Sequence, residues 1–98
     1  VTKRVVRIHP LAAEEADVAR LWYFERNPQV SQVFVSALAA AVESIAASPR
    51  RWPRVHGKYR RYLLRRFPFS IVYLERADSI DVIAVAHHRR RPGYWQER

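Results

Sequence analysis

The segment His87-His88-Arg89-Arg90-Arg91-Pro92-Gly93-Tyr94-Trp95, followed closely by Arg98, gathers imidazole, guanidinium and phenol groups into one short tail. These are side chains that grip and cleave a phosphate backbone. Cleaving RNA without a metal needs a base for the 2′-hydroxyl, cations for the charged phosphorane and an acid for the leaving oxygen. A histidine at position 87 or 88 can act as base or acid near neutral pH, Arg65, Arg66 or Arg90 can stabilise charge, and Tyr94 can donate a proton or stack on a base. The candidate catalytic set is His88, Arg90, Tyr94 and Arg65. Several groups of the tail also have a structural reading. His87 ends an apolar run and reads as a hydrogen-bonding residue, Arg89-Arg90-Arg91 as a solvated basic run, and Tyr94-Trp95 as aromatics folded back over the core.

Other chemistries are narrowed by composition. The chain has no cysteine, which removes disulfides and thiolate metal sites, and its four histidines show no helical His-x-x-x-His spacing. No metal and no cofactor are expected. The net charge of +9 is unevenly placed: residues 50–66 hold Arg50, Arg51, Arg54, Lys58, Arg60, Arg61, Arg65 and Arg66 without one carboxylate. Positive charge gathered on a few elements attracts polyanions, so Arg50, Arg51, Arg54, Lys58, Arg60, Arg61 and Arg66 are the expected surface for nucleic acid or an acidic partner. The most apolar stretch, 33–47, is interrupted by Ser36, Glu43 and Ser44, and no signal-like run opens the chain. The expectation is a cytoplasmic protein without a membrane partner.

The elements that must position these groups follow from periodicity. With 98 residues and about half of them apolar, the chain predicts one domain, 1–98, with one core. Lys3 to Ile8 reads as a short strand. Pro10 suits a first helical turn, Glu14, Glu15 and Asp17 suit its positive end, and Ala12, Ala16, Ala19 and Tyr23 form one stripe, giving a helix over about 11–26. Asn27-Pro28 restarts a helix that Ser48-Pro49 ends, its apolar positions Val30, Val33, Phe34, Ala37, Leu38, Ala41 and Ile45 falling at three-and-four spacing. Residues 49–58 read as a loop. Three runs then change to period two: Tyr62 with Leu64, Phe67 to Tyr73, and Ile80 to Val85, the last two apolar on much of both faces and joined by the turn Arg76–Ser79. The order is β-α-α-β-β-β, an α+β fold with a helical hairpin packed on a small, mostly antiparallel sheet.

In this order and spacing the motifs resemble the RelE/ParE superfamily of toxins from bacterial type II toxin-antitoxin modules, also called plasmid-stabilisation proteins. The resemblance spans nearly the whole chain: a basic first strand, His9-Pro10 with Ala-Glu-Glu-Ala, the Asn27-Pro28 restart, Arg66-Phe67-Pro68-Phe69-Ser70-Ile71-Val72-Tyr73, Ile83-Ala84-Val85-Ala86-His87 and Arg90-Arg91-Pro92-Gly93-Tyr94-Trp95. It implies a toxin that arrests growth, a cognate antitoxin partner and a toxin-antitoxin hetero-oligomer. Two targets stay open. RelE-like members cleave mRNA in the ribosomal A site as metal-free endoribonucleases, and ParE-like members poison DNA gyrase without nuclease chemistry; a degenerate member that only binds its antitoxin is a third outcome. Arg65 or Arg66 with His88, Arg90 and Tyr94 match the usual nuclease positions. The lysine-rich cluster of one nuclease subgroup and the glutamate base of another have no counterpart over 49–66, where Lys58 is the only lysine.

Overall fold

The computed structural model describes residues 3–98, so Val1 and Thr2 of the expected domain lie outside the described residues. Strand β1 (Val5–Ile8) leads into helices α1 (Pro10–Arg26) and α2 (Pro28–Ala47), followed by β2 (Arg54–His56), β3 (Tyr59–Leu63), β4 (Phe69–Glu75), β5 (Ser79–His87) and a 3-10 turn, Tyr94–Glu97. The five strands form one sheet in the order β1-β5-β4-β3-β2. Only the β1–β5 pair is parallel, with Val5 opposite Ser79 and Ile8 opposite Val82; the others are antiparallel.

The expected α+β order is present, with one addition. Part of the stretch read as a loop is the edge strand β2, which pairs Arg54 with Arg60 and His56 with Tyr59. Its turn is closed by Gly57 at φ 58°, a left-handed conformation that glycine adopts without a Cβ penalty. A strand of three residues carries too little alternation to be seen against the prolines and arginines around it.

Local chemistry sets both helix starts. His9 caps α1 by accepting the Leu11 N–H at Nδ1 (3.1 Å), with Pro10 at the first helical position. Asn27 accepts the Gln29 N–H at Oδ1 (3.0 Å), and Pro28 opens α2 in the same way. The α1 stripe of Ala12, Ala16 and Ala19 brings the helix close to the sheet. By its length and composition α2 is apolar enough to cross a bilayer, as core helices also are. Here Phe34, Ala41 and Ile45 are buried in the core between the helices and the sheet.

Strands β4 and β5 are apolar on both sides because both sides are covered. Phe69, Ile71, Tyr73, Val82 and Val85 pack with the helices, where Tyr23, Phe34 and Phe67 stack edge-on or tilted with ring centroids 5.1–5.2 Å apart. Val72, Leu74, Ile83, Ala84 and Ala86 form a second cluster under Trp95, so the tail covers the outer face of the sheet. The alanines leave room for the indole. Between these two cores, β5 carries a bulge: Val72 pairs with Ala84 and Tyr73 with Val82, leaving Ile83 as the extra residue. It lies just beyond Val82, where pairing with β1 ends.

Candidate functional site

Past the bulge, β5 has no strand beside it on the β1 side, and its free backbone groups are met by side chains instead. The Val85 N–H donates to Glu15 Oε1 (3.0 Å), and Arg98 Nη1 donates to the Ile83 carbonyl (3.0 Å). The same Glu15 carboxylate accepts the Tyr94 hydroxyl (2.6 Å) and both terminal nitrogens of Arg98 (2.9 and 2.8 Å). One α1 carboxylate thus ties the tail to the sheet. Its side chain is 15% exposed and that of Arg98 11%, so the pair is nearly withdrawn from water. Burial alone would raise the Glu15 carboxyl, but the hydrogen bonds from Arg98, Tyr94 and Val85 together hold it below the ordinary carboxylate range. For Tyr94, burial and then the Glu15 hydrogen bond and charge push the phenol up to about 12.

Each expected catalytic residue has a definite place. Tyr94 is half-buried with its hydroxyl donated to Glu15, and the Arg90 guanidinium stacks 3.8 Å from its ring centroid. Arg90 Nη1 also comes within 4.0 Å of Glu15. His88, the first residue after β5, places Nε2 3.0 Å from Ser70 Oγ of β4. His87 points to the helical side, its ring edge-on to Phe69 at 4.9 Å, and its Nδ1 accepts the Arg89 N–H. A small hollow of about 90 Å³ on the outer face brings His88, Arg90 and Tyr94 together. Arg65 does not line it and sits exposed in the turn before β4.

The expected basic surface is divided. Arg50 pairs with Glu75 at 3.1 Å while its side chain stays 78% exposed, and Arg4 holds the same carboxylate at 2.6 Å, so a partner distant in sequence offsets its charge only in part. Arg60 turns inward and donates to the Trp52 carbonyl at 2.7 Å. Its neighbour Arg61 faces the opposite side, as alternate strand residues must, and lines the outer hollow. Arg51 lies 5.4 Å from the Trp52 ring. Arg54, Lys58 and Arg66 are exposed on β2, its turn and the β3–β4 turn.

Three residues that the sequence reading passed over shape the site: Glu15, His56 and Ser70. A signal for Glu15 existed, because it falls on the same helical face as Ala12 and Ala19, and a carboxylate on a buried stripe requires partners. His56 has no such signal, since strand β2 had to be recognised first, and Ser70 gains its role only because β4 lies beside the tail residue His88 in the fold. Among the described residues, no three His, Asp or Glu side chains converge to hold a metal ion.

A second concavity of about 600 Å³ runs along α1, between Leu11, Val18 and Trp22 on the helix and Phe69, Val85 and Arg90 on the sheet side. Leu11, Val18 and Trp22 recur at helical spacing and are 45%, 62% and 50% exposed, which makes this an open apolar groove.

The chain matches the model of the ParE toxin of type II toxin-antitoxin systems, parDE, over residues 6–92. No curated protein sequence matches it. In fold it is similar to the chromosomal ParDE TA system from P. aeruginosa, with a TM-score of 0.76 and 17% identity over 87% of this chain and 96% of that one. With the sheet order, the helical hairpin and the family match in agreement, this chain belongs to the ParE family of type II toxins, within the RelE/ParE superfamily.

Proposed function

We propose that this toxin arrests growth by acting on DNA gyrase with its DNA, without cleaving RNA, and that a cognate antitoxin holds it inactive in a cytoplasmic hetero-oligomer. One observation carries the choice of target: the phenol best placed to act as an acid is committed to Glu15 at 2.6 Å. A general acid works best with a pKa near the working pH, and Tyr94 is pushed up to about 12. The hollow beside it, about 90 Å³, is also well below the ~300 Å³ at which pockets begin to accommodate ligands of nucleotide size. The exposed arginines Arg54, Arg65 and Arg66 remain available for the DNA that gyrase holds. The open groove along α1 suits apolar side chains of the antitoxin, and acidic residues beside them would meet Arg90 at its margin.

Convergence of His88, Arg90 and Tyr94 on one hollow supports a second reading, metal-free cleavage of ribosome-bound mRNA. A single paired assay separates the two. Purified toxin is added to gyrase with plasmid DNA, and in parallel to translating ribosomes. The expected result is accumulation of gyrase-dependent double-strand breaks with mRNA left intact. Cleavage of mRNA with supercoiling unchanged would replace the first reading by the second, and inactivity in both would leave an antitoxin-binding module.

A further inference from the structure

Helix α2 is long, apolar and mostly uncovered. Its 20 residues hold a single charge, Glu43, and only Ser31, Phe34, Ala41, Ile45 and Ala46 among them are buried. The positions turned away from the core recur at alternating steps of three and four, Gln29, Gln32, Ser36, Ala39 and Glu43, with Val33 and Ala40 beside them, and all are exposed. At 3.6 residues per turn they share one stripe about 120° wide, with the spacing of a helix-packing seam. Next to this stripe Phe24 and Val35, 52% and 44% exposed, wall a concavity of about 540 Å³ that Gln29, Gln32 and Ser36 also line. The groove assigned to the antitoxin, on the other side of α1, has no residue in common with it.

We propose that this face binds a second copy of the chain, α2 against α2 in antiparallel order. Charge selects the occupant. The protein carries +9, gathered on β1, residues 50–66 and the tail, so two copies repel wherever those surfaces meet. Residues 28–47 contain no lysine or arginine, and Glu43 is offset by Lys3 at 2.6 Å, so here two copies meet without burying like charge. The face is also complementary to itself. Pairing about the helix midpoint sets Ser36 of one copy opposite Ala39 of the other, where small side chains let the axes approach, and Gln32 opposite Glu43, whose carboxylate accepts the amide N–H. A lipid surface fits less well, because helices that lie on membranes present Trp, Phe or Leu with flanking Lys or Arg, and this stripe has none of them. A helix of 20 residues is about 30 Å long, which puts the contact at the small end for dimers and its affinity in the micromolar range or weaker. Both outer sheet faces stay free in the dimer, since α2 lies on the opposite side of the sheet.

Sedimentation equilibrium of the purified toxin over a concentration series tests this. The expected mass rises from one chain of 11.6 kDa to twice that, and added salt tightens the dimer by screening the repulsion between two copies of +9. Ser36→Glu places a carboxylate at the centre of the seam and should weaken the dimer about tenfold or more with helical content unchanged. Two variants at Gln32 read the register. Gln32→Lys meets Glu43 of the second copy and should tighten the dimer by about threefold, and Gln32→Glu should weaken it by a similar factor. Overall charge acts in the opposite direction, since lysine adds to +9 and glutamate subtracts from it. Within one chain Gln32 and Glu43 are about 16 Å apart along the helix axis, so contact between antiparallel copies is what gives these signs. Gln32 variants that follow overall charge overturn the proposal, as does a dimer that Val18→Glu disrupts and Ser36→Glu leaves intact. A mass of one chain throughout the series also overturns it; the face then belongs to the antitoxin if Ser36→Glu weakens antitoxin binding, or to lipid if Ser36→Glu abolishes cosedimentation with anionic vesicles.

Discussion

Replacing Glu15 by alanine removes, at once, the acceptor for the Val85 N–H, the Tyr94 hydroxyl and the Arg98 guanidinium. An orphaned buried N–H costs about 1–3 kcal/mol. Stranding one member of a nearly buried ion pair costs about 3–5 kcal/mol, and Arg98, 11% exposed, has that position. These losses share one carboxylate and do not add in full, so the expected destabilisation is roughly 3–5 kcal/mol. Small domains are stable by only about 5–15 kcal/mol, and much of that would go. Glu15→Gln keeps an acceptor for Val85 but loses the charge, with an expected cost of about 1.5–3 kcal/mol. Urea denaturation followed by tryptophan fluorescence measures both, and a double-mutant cycle with Arg98→Met isolates the coupling. The pH dependence has a definite sign. Because the Glu15 carboxyl is held below its ordinary value of 4.5 in the folded protein, its contribution is present above about pH 4.5 and is lost as pH falls through the folded value. The stability gap between wild type and Glu15→Gln should therefore narrow in acid. A Glu15→Ala cost below about 1 kcal/mol with an unchanged urea slope, or a gap that is flat down to pH 3, would refute the reasoning.

Two further outcomes follow from the surfaces. Reversing Arg65 and Arg66 to glutamate, both exposed in the β3–β4 turn, should leave folding intact and lower the log-log salt slope of DNA binding by roughly 0.9 for each phosphate no longer neutralised, read by fluorescence anisotropy across a salt series; an unchanged slope would place the DNA elsewhere. Shortening Val18 and Trp22 to alanine, at 62% and 50% exposure, should cost little stability yet weaken antitoxin binding by about tenfold or more in calorimetry; unaltered affinity would remove the α1 groove from the interface.

Much of this architecture was legible in residue order. Both helix starts rest on neighbours in the chain, His9-Pro10 and Asn27-Pro28, and the alternation in β4 and β5 announced strands buried on two sides. The family resemblance was equally readable, because it lies in motifs strung along one line. The short strand β2 was not, since three residues become a strand only through pairing with β3. Charge was legible in amount but not in direction: the run from Arg50 to Arg66 looked unopposed until folding brought Glu75 to Arg50 and turned Arg60 and Arg61 to opposite faces. The tail shows the limit most clearly. Its imidazole, guanidinium and phenol groups suggested reactive chemistry, yet the availability of each depends on Glu15, about 80 residues away from Tyr94 and Arg98 in the chain and within 3 Å in the fold. Sequence specifies which groups can titrate or donate; only tertiary contact, through burial and opposing charge, decides which of them are already spent.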